Sequence, residues 1–199
     1  MNYLGHIYLS VDISPIIVGN FIGDHVKGSK FLSYQPEVRR GILLHRAIDS
    51  QLEFENSFIQ LKQLFYPLYR RYSGIIADMI IDYILARDWN KYHPTPLKKY
   101  SKEVYQTIWS YRKDLPTKTI AILPKMQFTN RLLMYGTLDG IIDSIKIMSR
   151  YSSLPDHTNE LIPLLKKNDQ LITYLSRDII SQMKRFSTEW LQEQAISNG

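Results

Sequence analysis

The sequence predicts an all-α domain, and three observations carry that expectation. Apolar residues recur at helical spacing nearly throughout. Helix-starting and helix-stopping residues punctuate those runs, as at Ser14-Pro15, Pro36 and Gly28. The single stretch that alternates, YLGHIYLSV, is short and has nothing obvious to pair with, so it reads as helical or irregular. With 199 residues, no internal repeat and no long linker, the chain reads as one compact domain over 1–199, of about seven or eight helices.

Each element has its own reason. Ser14 is placed to cap the run PIIVGNFIGDHVKG, with Pro15 in its first turn and Gly28 as its stop. Pro36 opens PEVRRGILLHRAIDSQ. A third helix is expected over about 54–72 and a fourth over GIIADMIIDYILARDWNKY, which HPTP at 93–96 ends. Helix resumes over about 97–113. DLPTKTIAILPK, with Pro116 and Pro124, reads as the clearest loop. Helices over about 125–135 and 138–150 follow. SSLPDHTNELIP reads as a further break, and a last long helix as 164–195.

Composition narrows the chemistry. There is no cysteine, so any metal must be held by His, Asp, Glu or water, and neither a disulfide nor a cysteine nucleophile is available. The N-terminus lacks a basic leader, and no apolar run reaches the roughly 18 residues that span a bilayer, so the expected location is cytoplasmic, away from membranes. The net charge of +6 favours an acidic partner. The fourteen tyrosines read as half-buried packing rather than base-stacking platforms, and nucleic acid is not expected. Gly-rich phosphate loops, nucleophile elbows and dinucleotide fingerprints are absent from the sequence.

The informative residues are polar ones in apolar settings. In GIIADMIIDYILA, Asp78 and Asp82 share a face of a helix that is apolar nearly all round. Two buried, unpaired carboxylates would cost several kcal/mol each, so a cation must sit beside them. In GILLHRAID, His45 and Asp49 lie four apart among Ile42, Leu44 and Ile48. Asp24 ends VGNFIGD, one turn beyond Asn20, and His6 lies within LGHIYL. These six groups suit Mg²⁺, Mn²⁺ or Fe²⁺ and permit zinc. An ion there would hold a phosphate oxygen and acidify a bound water. The other reading is a buried salt-bridge network closed by Arg39, Arg46 or Arg87, in a basic helical module that binds an acidic protein without catalysis. Lys27, Arg39, Arg40, Arg70 and Arg71 lie near the carboxylate-bearing segments and form a candidate rim for an anionic partner.

Four blocks, MNYLGHIYLS, VGNFIGDHVKG, GILLHRAID and DMIIDYILARDW, resemble in that order those of the acyl carrier protein phosphodiesterase family. LLMYGTLDGIIDSIKIMSR resembles its later block. The resemblance implies a helical fold distantly related to HD-domain phosphohydrolases, and a hydrolase dependent on Mn²⁺ or Mg²⁺. It implies cleavage of the phosphodiester between 4'-phosphopantetheine and a serine of holo-acyl carrier protein, a step attached to fatty acid biosynthesis. Asp24, His45 and Asp78 are then expected to hold metal. Asp82 or Asp49 would complete the shell or orient water, with His6 assisting proton transfer. The basic rim would dock the acidic carrier. Members commonly carry His where this chain has Tyr83, and some a second His at Tyr8. Such divergence leaves room for an HD-type phosphohydrolase acting on nucleotides or small phosphate esters.

Overall fold

The computed structural model describes residues 1–196, with side chains through 194. Among these residues it contains eleven α-helices and no strand: α1 Tyr3–Tyr8, α2 Ser14–Ile22, α3 Pro36–Leu52, α4 Asn56–Tyr69, α5 Ser73–Arg87, α6 Leu97–Ser110, α7 Thr117–Phe128, α8 Arg131–Met134, α9 Leu138–Tyr151, α10 Thr158–Lys167 and α11 Asp169–Ile196. Short 3₁₀ turns at Gly23–His25, Gly28–Ser33, Arg70–Tyr72 and Trp89–Lys91 join several of them.

The helix count exceeds the expected seven or eight because α1 is helical and because proline and asparagine act otherwise than expected at four places. The segment read as the clearest loop is helix α7, with Pro116 as its N-cap and Pro124 inside it. Pro124 cannot donate to the carbonyl of Ile120, but Ile120 is exposed, so solvent can satisfy that carbonyl. Pro163 likewise sits inside α10, where a break was expected. The expected helix 125–135 is cut at Asn130, which takes a left-handed conformation (φ 43°, ψ 58°) and starts α8. The expected helix 164–195 is cut at Asn168, whose side-chain amide donates to the carbonyl of Leu164 (2.9 Å). Ser14 does not cap α2. The helix starts at Ser14 itself, after Ile13, and it ends at Ile22 rather than running to Gly28.

Helix α5 lies at the centre, packed against α1, α4, α9 and α11. Ile76, Ile80, Ile81, Ile84 and Leu85 are all fully buried, as its all-round apolar pattern requires. Helices α2 and α3 make the closest pairing. A Cβ at Gly19 would fall 2.1 Å from the Val38 carbonyl oxygen, and one at Gly41 would fall 2.4 Å from that of Ile16. The two backbones therefore touch, which only glycine at both positions permits. This contact sets Asn20 of α2 directly against His45 of α3.

Candidate metal centre

Helix α1 delivers His6, and polar bonds fix its first turn. The Asn2 side chain accepts from the Tyr3 amide (2.8 Å). Asp82 of α5, fully buried, accepts from the amides of Leu4 (2.8 Å) and Gly5 (3.0 Å). A carboxylate at a helix N-terminus meets donors the helix cannot satisfy itself. Burial still pushes the Asp82 carboxyl up to about 7. Asp82 therefore anchors α1 and faces its backbone.

The two imidazoles meet across Asn20. His6 Nδ1 lies 2.8 Å from the Asn20 side-chain oxygen, and His45 Nδ1 lies 2.8 Å from the Asn20 main-chain oxygen. Both acceptors are carbonyl oxygens, so each Nδ1 carries the proton and each Nε2 is the free end. The Asn20 amide nitrogen donates to the His6 carbonyl (2.7 Å) and to Ser10 Oγ (3.0 Å), which locks its orientation. The rings stack with centroids 3.9 Å apart. A Cβ at Gly23 would fall 2.2 Å from His45 Cγ, so the chain can pass the ring only as glycine.

Both Nε2 atoms point at Asp49. The distances are 3.2 Å from His6 and 3.3 Å from His45. Yet both nitrogens are buried and make no hydrogen bond of acceptable geometry. Side chains that converge without bonding one another are aimed at a common point, and His6, His45 and Asp49 each offer a ligand atom within 4.8 Å of the others. Two imidazoles and a carboxylate suit a divalent transition ion. Asp24 lies 3.6 Å from His45 Nε2 with its side chain 67% exposed. Asp78 lies 3.1 Å from the Met1 ammonium, which is 3.6 Å from Asp49. Met1, Asp24, Asp49 and Asp78 all line a cavity of about 620 Å³.

The charges point to a cation at this place. Burial lowers the His6 imidazole, and His45 beside it lowers it further, to about 4. Burial pulls His45 down too, but Asp24 and Asp49 outweigh it and raise it to about 9. Burial disfavours an ionised Asp49, but the imidazoles hold it well below the usual carboxylate range. Burial raises Asp78 despite the adjacent ammonium. Without a metal, His45 thus holds a second proton, on Nε2, where an ion would otherwise supply the positive charge that Asp24 and Asp49 call for.

The sequence names six groups: Asp24, Asp49 and Asp78 line the cavity, His6 and His45 reach Asp49 with their Nε2 atoms, and Asp82, expected to complete the shell or orient water, binds the α1 amides. The arginines weighed as partners are bonded elsewhere. Arg39 donates to the carbonyls of Leu32 and Tyr34, Arg46 to those of Val26 and Gly28, and Arg87 to Asp169 and Thr173. In the expected docking rim, Arg40 donates to the Leu191 carbonyl, Arg70 lies over the Tyr66 ring and Arg71 over the Tyr72 ring. Lys27 is exposed, and none of the five rim residues lines the cavity. Tyr83 packs under Arg87, and Tyr8 against Trp89 and Lys184, so neither departure alters the cluster. Sequence reading did not assign Asn20 a role; its one signal was an amide inside the apolar run VGNFIG.

A helical frame that aims two imidazoles and a carboxylate at one point, under an open cavity, defines a protein with a candidate metal centre. The profile of the family described as acyl carrier protein phosphodiesterase matches residues 1–188, and the chain belongs to that family. It is similar to the acyl carrier protein phosphodiesterase of Photorhabdus laumondii (30% identity over 151 residues, 75% of this chain and 76% of the relative). It is also similar to that of Yersinia pestis (33% over 150 residues, 75% and 78%) and of Serratia proteamaculans (26% over 172 residues, 86% and 81%). No solved structure matches. Among the described residues, no helix is long and apolar enough to cross a membrane.

Proposed function

We propose that the protein is a metal-dependent phosphodiesterase of the cytoplasm that removes 4'-phosphopantetheine from the serine of holo-acyl carrier protein. The observation that carries the metal dependence is the pair of buried Nε2 atoms, unbonded and facing Asp49 with their protons fixed on the far nitrogens. Family membership carries the substrate. In this reading His6, His45 and Asp49 hold Mn²⁺ or Mg²⁺, with Asp24 and Asp78 at the edge of the shell. Asp82 acts as a positioning residue that seats α1, and hence His6. When bound, such an ion offsets the phosphodiester's charge and makes a coordinated water more acidic.

The chain's own groups do the rest. Asp24, ionised and half open to the cavity, takes the proton of the attacking water. Water oxygen bonds to phosphorus, and the bond from phosphorus to the serine oxygen breaks. The serine oxygen takes up a proton, and the phosphate leaves as a monoester on pantetheine. Asn20 keeps both imidazoles in the tautomer that presents Nε2 to the ion.

Incubation with holo-acyl carrier protein and Mn²⁺, beside a chelator control, tests the reading through the intact mass of the carrier. Loss of the phosphopantetheine mass with metal alone is expected, and Asp24→Asn should slow it by about 10²–10⁴. An unchanged carrier mass under all conditions overturns it.

A further inference from the structure

Helix α7 carries two cations and no acid: Lys118 and Lys125 stand seven residues, about two turns, apart and are both exposed. Ala121 lies between them on that face, and Ile120 and Phe128 expose apolar surface beside it, Phe128 to 92%. The preceding turn adds exposed Arg112 and Lys113 against Asp114. The helix is tied to the metal centre, since Thr119 Oγ1 lies 2.7 Å from Nδ1 of His25, the neighbour of Asp24.

Beneath α7 runs a second cavity, of about 600 Å³, enclosed by α7, α8 and α9. Ile122, Met126, Tyr135 and Ile147 make it mostly apolar, Lys125 and Arg131 are its only charged lining residues, and no acid lines it. It shares Asn2, Met79 and Met148 with the cavity over Asp49, so the two adjoin. A phosphodiester at the metal centre has two arms, one to the protein serine and one to pantetheine. The second arm combines methyl groups, amides and a thiol, and it carries no anion beyond the phosphate. A groove with an apolar floor and scattered Tyr, Ser and Asn groups matches that chemistry.

We propose that α7 is the docking helix for the acidic carrier protein and that the groove between α7 and α9 seats the pantetheine arm, thiol end away from the metal centre. This rests on the phosphodiesterase reading above. Lys118 and Lys125 meet the carrier's acidic surface, Ile120 and Phe128 its apolar residues, and the serine is thereby delivered above His25 and Asp24. A rival basic patch exists on α6, where Lys98, Lys99 and Lys102 line a shallow depression beside Pro96, with no large exposed apolar side chain among them.

The test compares wild type, K118E/K125E, K98E/K102E and I147W, each checked for fold by circular dichroism. Binding of holo- and apo-acyl carrier protein is titrated by fluorescence at low salt with chelator present, and turnover with Mn²⁺ is followed by intact mass. The α7 reversal should weaken carrier binding and raise KM at least tenfold, whereas the α6 reversal, of identical net charge, should change either less than twofold. I147W, on the α9 wall of the groove and away from the α7 face, should raise KM for the holo-carrier and leave apo-carrier binding unchanged. Equal effects of the two reversals would overturn α7 docking, and an unchanged KM in I147W would remove the arm from the groove. A wild-type protein that releases no arm would instead sink the phosphodiesterase reading, and this inference with it.

Discussion

Asn20 makes four contacts from a fully buried position, two of them to the imidazoles that would hold metal. Asn20→Ala keeps the main-chain acceptor of His45 but strips His6 of its Nδ1 partner and leaves Ser10 Oγ as the one side-chain donor to the His6 carbonyl. It should therefore lower metal affinity about 10–100-fold and stability by about 1–3 kcal/mol, read by Mn²⁺ titration and denaturant melts. Unchanged affinity would mean that the His6 tautomer is fixed by something else. At this scale the sequence was informative about chemistry and silent about geometry. Ionisable groups in apolar runs mark themselves, because their burial demands compensation. A buried amide carries no charge and needs only hydrogen bonds, so Asn20 passed as an ordinary helix residue. Asp82 was legible as buried but not as an anchor, because the amides it binds come from a helix 77 and 78 residues away in the chain.

Helices α2 and α3 approach closely enough that a methyl group at either glycine contact would strike backbone rather than a movable side chain. Gly41→Ala should force the pair apart, cost about 1–3 kcal/mol and carry His45 away from Asn20. Thermal melts and Mn²⁺ titration of the same variant check both effects. A loss of stability with metal affinity intact would show that the pair yields without moving the ring. Periodicity made the core helices readable, since Pro36 opens α3 as expected and the isoleucine-rich run is α5. It failed at α7 and α10, where a proline was taken as a break. A surface helix tolerates proline when the carbonyl it leaves unbonded faces water, and exposure is a tertiary property that local sequence does not display.

Buried ionisable groups at the site give the whole molecule a pH response. His45 titrates near 6.5 when unfolded and near 9 when folded, so the folded state holds an extra proton between those values. That contribution is fully present below pH 6.5 and is lost as pH rises to 9. Asp82, raised to about 7, loses stability with rising pH from about 4 to 7. His6, lowered to about 4, has the opposite sign and gains stability as pH rises from 4 to 6.5. The last two oppose each other from pH 4 to 6.5, where the raised Asp78 adds a loss, and above 6.5 the metal-free protein declines through His45 by about 3 kcal/mol. Saturating Mn²⁺ displaces the His45 proton and should abolish the decline. Denaturant melts from pH 5 to 9, with and without metal, measure both curves, and a metal-free protein that strengthens above pH 6.5 would contradict the assignment.

The direct backbone contact of α2 with α3 also bears on the order in time. These helices are neighbours in sequence, so their pairing closes only a short loop and belongs among the fast steps of folding. Asn20, His45 and Asp49 are thereby assembled as one hairpin. His6 lies on a six-residue helix joined to α2 by a still shorter connection, so its meeting with Asn20 is local too. The long-range step is the seating of α1 on Asp82, 77 and 78 residues away, so the metal ligands come from neighbouring helices while their anchor waits on α5.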